Sequence, residues 1–221
     1  MVIFTVGALL IGAAIVTYAL LQQPAGPTED VTAPREVIPA GLADGRTLGR
    51  ADAPVTIEIW SDFQCPACQQ LAVRVEPDLI TNFVVPGTAK MVYRDAAYQG
   101  ARAGAYDESV ESAAGARCAG DQGRFWQMHN WIFANWDGEN RGAFRSERLR
   151  AMAAGAGLDL AAYDACMAAG DKQGAVRAET QQAAATGINS TPTMLINGVA
   201  YVGLRDYAEL AQAIRQAAGQ P

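Results

Sequence analysis

Cationic side chains are sparse in this chain of 221 residues, and they cluster nowhere along it. Lysine and arginine total 17 against 23 acidic residues, so the formal net charge is −6. A basic patch is the electrostatic requirement for binding nucleic acid, and its absence excludes that class of function. Cysteine occurs four times and histidine once. So few cysteines exclude a small disulfide-dense scaffold but leave room for a redox pair or a metal site.

Charge is also absent from the start of the chain, where no charged side chain precedes Glu29. Residues 1–21 read MVIFTVGALLIGAAIVTYALL. As a helix this stretch would span about 30 Å, the thickness of a bilayer's hydrocarbon core. A cleavable signal peptide is the alternative, but the apolar run is long for a signal core and no clear A-x-A cleavage site ends it. We therefore expect residues 1–21 to be a transmembrane anchor or an uncleaved signal.

Residues 22–50 contain four prolines and several glycines. Such a composition resists both helix and strand pairing, so we expect an extended linker between the anchor and a folded part. The chain as a whole is 50% apolar and 18% charged, which is an ordinary globular composition and excludes a wholly disordered protein.

The folded part shows two kinds of hydrophobic period. Alternation predicts strands at Val55–Trp60 and Lys90–Arg94, with a helix from Cys65 between them, and a crossover of that length favours a parallel pair. Residues 101–187 read as a run of helices. Asn197-Gly198 is a strong hairpin signal between strands Thr193–Ile196 and Val199–Val202, and a last amphipathic helix follows. We expect an α/β domain made of residues 51–100 and 188–221, interrupted by a helical insertion over 101–187.

The chemistry is concentrated in the motif Cys65-Pro66-Ala67-Cys68, directly after a predicted strand and at the start of a helix. Side chains three positions apart share one helix face, so the two sulphurs can reach bonding distance. Unpaired N–H groups at the helix N-terminus stabilise a thiolate. Cys65 is therefore predicted to be the attacking sulphur with a depressed pKa, and Cys68 the more buried resolving sulphur. Pro66 suits the first helical turn.

The motif has two other interpretations, a zinc site and a structural disulfide. A zinc site needs two further ligands, and Cys118, Cys166 and His129 stand isolated in the sequence. A purely structural disulfide across so small a loop would restrain the unfolded chain little. We therefore expect a redox-active dithiol and no metal. His129 lies among aromatic residues that are expected to form the core of the helical block, not a cofactor site.

Three stretches carry a resemblance to a known family: VTIEIWSDFQCPAC, CAGDQGRFWQMHNWIF and GINSTPTMLINGVAYVG. Together they resemble the DsbA-like thiol:disulfide oxidoreductases of bacteria, in the membrane-anchored or secreted branch, over roughly residues 47–218. The resemblance implies a thioredoxin-like fold (β-α-β, then β-β-α) with an inserted all-helical subdomain, preceded here by the predicted transmembrane helix. It also implies a cis peptide at Thr191-Pro192 beside Cys65, so that Thr191 and Pro192 support the site together with Pro66 and Ala67.

The chain departs from the family pattern at two positions. Many strongly oxidising relatives carry a histidine where Ala67 stands, which predicts a milder oxidant here. Relatives commonly have a buried acid six positions before the first cysteine, where this chain has Ile59. The nearest acid is Glu58, which strand alternation places on the opposite face unless a bulge intervenes.

The resemblance further implies a structural disulfide between Cys118 and Cys166, with two separate buried thiols as the alternative. A bond there would require an oxidising compartment. The predicted localisation is therefore the cell membrane, with the catalytic domain on the extracytoplasmic side.

The predicted function is disulfide exchange in exported proteins, most directly disulfide formation, with no cofactor. Its partners would be reduced or unfolded exported proteins and a membrane quinone-linked reoxidant of the DsbB or vitamin K epoxide reductase type. An extracytoplasmic reductase or isomerase is the alternative within the same chemistry. A non-catalytic, chaperone-like module that binds unfolded chains is the alternative outside it.

Overall fold

The structure is a computed structural model that describes residues 30–35, 38–100 and 106–219. Within these residues six strands form one sheet: β1 (Ala43–Asp44), β2 (Thr47–Leu48), β3 (Val55–Ser61), β4 (Ala89–Asp95), β5 (Thr193–Ile196) and β6 (Val199–Val202). The helices are α1 (Pro66–Arg74), α2 (Glu76–Leu79, continued by a π-helical turn over Ile80–Val84), α3 (Glu108–Gly120), α4 (Phe125–Ala134), α5 (Ser146–Gly155), α6 (Leu160–Ala169), α7 (Asp171–Ala185) and α8 (Tyr207–Ala217).

The sheet has the order β1-β2-β4-β3-β5-β6, with β3 at its centre. Strand β3 alternates as its sequence predicts, and Val55, Ile57 and Ile59 are fully buried on one face. It runs parallel to β4, in register from Val55↔Ala89 to Ser61↔Asp95, and antiparallel to β5. The carboxyl ends of β3 and β4 therefore lie side by side, and from this edge the chain enters α1.

The β5–β6 hairpin turns at Asn197 and Gly198, whose φ angles are 46° and 86°. Positive φ at both positions is what a tight two-residue hairpin requires, and the Asn-Gly pair adopts it at low cost. The Asn197 side chain also accepts a hydrogen bond from Thr56 N–H at 2.8 Å, which ties the turn to the central strand.

Among the described residues, five helices, α3 to α7, lie between β4 and β5 and form the helical insertion. Their aromatic side chains join the hydrophobic core that covers the sheet, as expected for core residues: Phe125, Trp126, Phe133 and Tyr163. A charged cluster of Arg46, Asp95, Arg117 and Glu179 links α3 and α7 to the sheet, with Arg117 Nε 2.6 Å from Asp95 Oδ2. The helical insertion therefore packs directly against the sheet.

The predicted linker over residues 22–50 is wrong in its second half. Residues 43–48 form the β1–β2 hairpin, and Leu48 is fully buried because β2 pairs with Val92 and Met91 of β4. Even Thr32 is docked, since its backbone exchanges two hydrogen bonds with the Asn135 side chain. A strand of two residues is too short to show an alternation of apolar and polar side chains, so the sequence pattern does not reveal it.

The predicted membrane anchor, residues 1–21, lies outside the described residues. Among the helices of the described residues, none combines the length and apolarity that crossing a bilayer requires.

Candidate active site

Cys65 stands at the junction between the sheet and α1. It is the last extended residue before the helix, at φ −73° and ψ 124°, and Pro66 occupies the first helical turn. Its Sγ lies 3.5 Å from the Thr191 carbonyl oxygen. The residue is 4% exposed, and Pro66 beside it is exposed. The helix therefore presents its free N–H groups to this sulphur.

The pKa of the Cys65 thiol is lowered from 9.0 to about 6. The largest cause is the hydrogen bond from the Cys68 thiol; burial acts in the opposite direction, and Thr191 and the backbone N–H groups of Cys68 and Ala67 add to the lowering. A donor that stabilises the anion lowers the pKa. Cys65 is thus largely a thiolate at neutral pH, as expected for the attacking sulphur, although its thiol partner contributes more than the helix does.

Cys68 has the opposite properties. It is 1% exposed and lies one turn into α1. Burial raises its pKa well above 9.0, and the charge on Cys65 adds to that effect. The backbone of Asp62 and the side chain of Ser61 act against the rise. The pair is therefore one thiolate and one thiol, which is the arrangement predicted from the spacing.

The chain brings Thr191 and Pro192 to the same place from the far end of the sequence. The peptide bond between them is cis. The Pro192 carbonyl accepts a hydrogen bond from Gly203 N–H at 2.8 Å, and β5 begins at the next residue. All six residues predicted for the site, Cys65, Pro66, Ala67, Cys68, Thr191 and Pro192, are thus neighbours.

Asp62 was missed by the sequence reasoning. It is 2% exposed, and its carboxylate accepts hydrogen bonds from Gln64 N–H (2.8 Å), Gln99 N–H (2.7 Å) and Ser109 Oγ (3.1 Å). Burial raises its pKa to about 6. The carboxylate thereby ties the loop before Cys65 to the insertion. An acid at the end of an apolar strand, three positions before the motif, was the available signal.

Gln64, directly before Cys65, was missed as well. It is fully buried, and its carbonyl accepts a hydrogen bond from Trp136 Nε1 at 2.9 Å. Its side-chain amide donates to Glu108 Oε2 at 3.3 Å and accepts from Asn140 N–H. The helical insertion therefore holds the residue next to the reactive sulphur by both backbone and side chain.

Glu58 takes no part in this site. The pairing of β3 is continuous on both sides, so no bulge turns Glu58 toward Cys68. Its carboxylate instead lies 3.0 Å from Arg94 Nε, with both side chains about one-third exposed. Glu58 therefore occupies an ordinary solvated strand position, and the alternative of a bulged strand is wrong.

Cys118 and Cys166 form a disulfide between α3 and α6, with their Cα atoms 5.9 Å apart and a sequence separation of 48. The structure thus joins the pair that the resemblance implied and leaves Cys65 and Cys68 as thiols.

His129 is buried in the aromatic core and approaches another buried group, Glu76, with Nε2 3.6 Å from Oε2. Burial lowers the pKa of His129 to about 4 and raises that of Glu76 to about 8, so both are neutral at pH 7. The described residues contain no cluster of three or more metal-ligating side chains.

Comparison with known proteins identifies the family model and the curated sequences that this chain resembles. A family model described as thioredoxin matches residues 42–216. Among curated sequences, a Na(+)/H(+) antiporter NhaA 1 of Salinispora arenicola is 29% identical over 82% of this chain, which spans only about a quarter (26%) of that relative's length. A probable disulfide bond formation protein D of Bacillus cereus is 31% identical over 41% of this chain and 40% of its own.

Two solved structures share the fold at low sequence identity. Oxidised BdbD from Bacillus subtilis superposes with a TM-score of 0.71 at 19% identity, over 86% of this chain and 100% of that one. Oxidised Mtb DsbA superposes with a TM-score of 0.65 at 24% identity, over 86% of this chain and 92% of that one.

Proposed function

The chain belongs to the thioredoxin family, and from this premise we propose that it is a DsbA-like thiol–disulfide oxidoreductase that forms disulfide bonds in exported proteins. The observation that carries the proposal is the unequal pair: Cys65 with a pKa of about 6 and Cys68 with a pKa far above its usual value. A dithiol whose outer sulphur is a stable thiolate readily gives up its disulfide to a client.

In the proposed reaction the oxidised protein holds a Cys65–Cys68 bond. A client thiolate attacks Cys65, forming a mixed disulfide and releasing Cys68. A second client thiolate then attacks the client sulphur of that bond, the client leaves with a disulfide, and the protein keeps both cysteines reduced. Attack is directed to Cys65 because it sits at the helix start beside Thr191, whereas Cys68 lies deeper. The exchange uses only side-chain sulphur and needs no cofactor.

The proposed setting is the outer side of the cell membrane. The Cys118–Cys166 disulfide supports it, because such bonds persist mainly in oxidising compartments. The apolar run over residues 1–21 supplies the proposed anchor. The reduced protein would then be reoxidised by a membrane quinone-linked partner of the DsbB or vitamin K epoxide reductase type.

Ala67 favours a second candidate, the same exchange run as a reductase or isomerase. A methyl group between the cysteines donates no hydrogen bond to Cys65, so the thiolate lacks one stabilising contact that a polar residue could give. The reduced form is then less favoured than in a strong oxidant, which moves the reduction potential toward that of a reductant.

One experiment separates these candidates. The protein is equilibrated with glutathione buffers to obtain its reduction potential, and its oxidised form is mixed with a reduced, unfolded test protein. Net disulfide formation and a potential well above about −270 mV, that of thioredoxin, support the proposal. A potential near that value supports the reductase. Client binding that survives unchanged in Cys65→Ser, with no exchange by the wild type, supports a binding module instead.

A further inference from the structure

The peptide group between Gln64 and Cys65 is hydrogen-bonded at both of its polar atoms. Its N–H, that of Cys65, donates to the Asp62 carbonyl at 3.1 Å and closes a tight turn. Its carbonyl, that of Gln64, accepts the indole N–H of Trp136 at 2.9 Å. A peptide group is planar, so the two bonds together fix its rotation about the chain. They thereby hold Cys65 in its extended conformation, at φ −73° and ψ 124°, from the N-terminal side.

The two bonds come from different parts of the fold. The bond to Asp62 is local, within a single turn. The bond from Trp136 spans 72 positions and comes from the helical insertion, just after the end of α4. Trp136 is half-buried and packs against the hydrophobic core, so its ring has support besides this bond. The insertion therefore places a fixed donor against the residue that precedes the reactive sulphur.

The Gln64 carbonyl depends on this donor. Gln64 is fully buried, and among the described residues the indole N–H of Trp136 is the only group that donates to its carbonyl. A buried carbonyl without a donor is unfavourable, so on losing Trp136 it would rotate toward water. The N–H of Cys65 belongs to the same planar group and would rotate away from Asp62 with it. Both restraints on Cys65 would then be lost together.

The orientation of Cys65 decides how well the charge on its sulphur is stabilised. The sulphur lies 3.5 Å from the Thr191 carbonyl oxygen and at the start of α1, where the first N–H groups have no partner within the helix. Stabilisation of an anion by a helix terminus falls off within one turn. A Cys65 that rotates freely carries its sulphur away from these N–H groups for part of the time, and its thiolate is then less stable.

Other hydrogen bonds from the insertion act on different atoms. Glu108 and the N–H of Asn140 reach the side-chain amide of Gln64. That amide turns about its own side-chain bonds without moving the peptide group. Among the described residues of the insertion, Trp136 is therefore the one that bonds the backbone directly before Cys65.

We propose that Trp136 is a positioning residue: its indole N–H fixes the Gln64–Cys65 peptide group and thereby holds the Cys65 sulphur at the start of α1. The helical insertion then does more than pack against the sheet, because it sets how strongly the reduced dithiol is favoured. The inference rests on the proposed exchange at the same site.

The test is the pH dependence of alkylation of the reduced full-length protein by iodoacetamide, with Cys65→Ser as the blank. Trp136→Phe keeps an aromatic ring and removes the N–H. The midpoint of the Cys65 titration, about 6 in the wild type, should rise by about half a unit. The alkylation rate should therefore fall about threefold at pH 5 and stay unchanged at pH 9, where the thiolate is fully formed in both proteins.

A second variant separates the hydrogen bond from the packing of the ring. Replacing Trp136 by 3-benzothienylalanine keeps the shape of the side chain, with sulphur in place of the N–H, and should give the same rise of about half a unit. The equilibrium of this variant with glutathione should move about twofold toward the disulfide form, because the reduced form loses part of its thiolate stabilisation.

Trp126→Phe is the matched control. This tryptophan lies in α4 and is fully buried, and its indole N–H has no hydrogen-bond partner among the described residues. The change should lower the free energy of unfolding and leave the Cys65 midpoint where it is.

An unchanged midpoint in either Trp136 variant would overturn the proposal. So would an equal fall of the alkylation rate at pH 5 and pH 9, which indicates altered access to the sulphur. An equal shift in Trp126→Phe would overturn it as well, because it indicates a general disturbance of the fold.

A failure of the proposed function is visible separately. Iodoacetamide and glutathione are not clients, so wild-type protein that shows the depressed midpoint but forms no disulfides in a reduced test protein would count against disulfide formation alone. Wild-type protein that forms those disulfides, with no effect of Trp136→Phe on the midpoint, would count against the positioning role alone.

Discussion

The two cysteine pairs of this protein differ in everything that governs sulphur chemistry, although three of the four cysteines are buried and Cys166 is half-buried. Cys65 and Cys68 are three residues apart, unbonded, and met by N–H and O–H donors. Cys118 and Cys166 are 48 positions apart and bonded, and a carboxylate lies close to them, with Asp121 Oδ2 3.9 Å from Cys166 Sγ. A carboxylate disfavours a thiolate. Donors around the sulphur therefore distinguish the reactive pair from the structural one.

The pairs are nevertheless joined through one helix. Cys118 lies near the end of α3, and the same helix supplies Ser109 to the Asp62 carboxylate and Glu108 to the Gln64 side chain. The structural disulfide thus anchors the element that braces the loop before Cys65. The comparison predicts different kinds of damage from the two pairs: loss of chemistry from the first and loss of stability from the second.

The sharpest contrast comes from Cys65→Ser. Removing the attacking sulphur should lower the rate of exchange with a reduced test protein by roughly a thousandfold or more, since no other group can form the mixed disulfide. The stability of the reduced form should change little. Residual exchange close to that of wild type would mean that another cysteine carries the reaction.

The second pair should respond in the opposite way. Replacing Cys118 and Cys166 together by alanine should lower the free energy of unfolding by about 4 kcal/mol, as expected for opening a loop of this length. Urea unfolding of the oxidised proteins measures this loss. Exchange rates in the folded variant should stay within about twofold of wild type. A loss of exchange as steep as that of Cys65→Ser would erase the distinction between the pairs.

The smallest effect is expected on the other face of the sheet. Glu58→Gln removes an ion pair with Arg94 whose side chains are about one-third exposed, which should cost less than about 1 kcal/mol and leave exchange unchanged. Parallel measurement of unfolding and of dithiothreitol reduction checks both points. A clear fall in the exchange rate would place Glu58 in the proton chemistry of Cys68, against the register of β3.

Much of the reactive pair could be predicted from local sequence. Alternation in VTIEIW located β3, and the Asn197-Gly198 turn fixed β5 and β6 at the residues where the structure has them. The position of Cys65 followed from a strand that ends just before a proline-started helix. These signals are local, so a single sequence carries them.

The supporting groups could not be found in the same way, because they come from distant parts of the chain. Ser109 reaches the site through the packing of α3, and Trp136 from the end of α4 reaches Gln64. Asp62 stands at a strand end, but only the fold brings three donors from separate segments to its carboxylate. Burial of polar groups depends on tertiary structure, which periodicity does not describe.

The ionisation of Cys65 tests the central claim most directly. The reduced protein is titrated while the ultraviolet absorbance of the thiolate is followed, with Cys65→Ser as the blank. Because the pKa of Cys65 is lowered, its thiolate should persist as the pH falls from 9 and disappear only around pH 6, and its alkylation rate should decline over the same interval. A midpoint near 9.0, the value of an unperturbed thiol, would contradict the account.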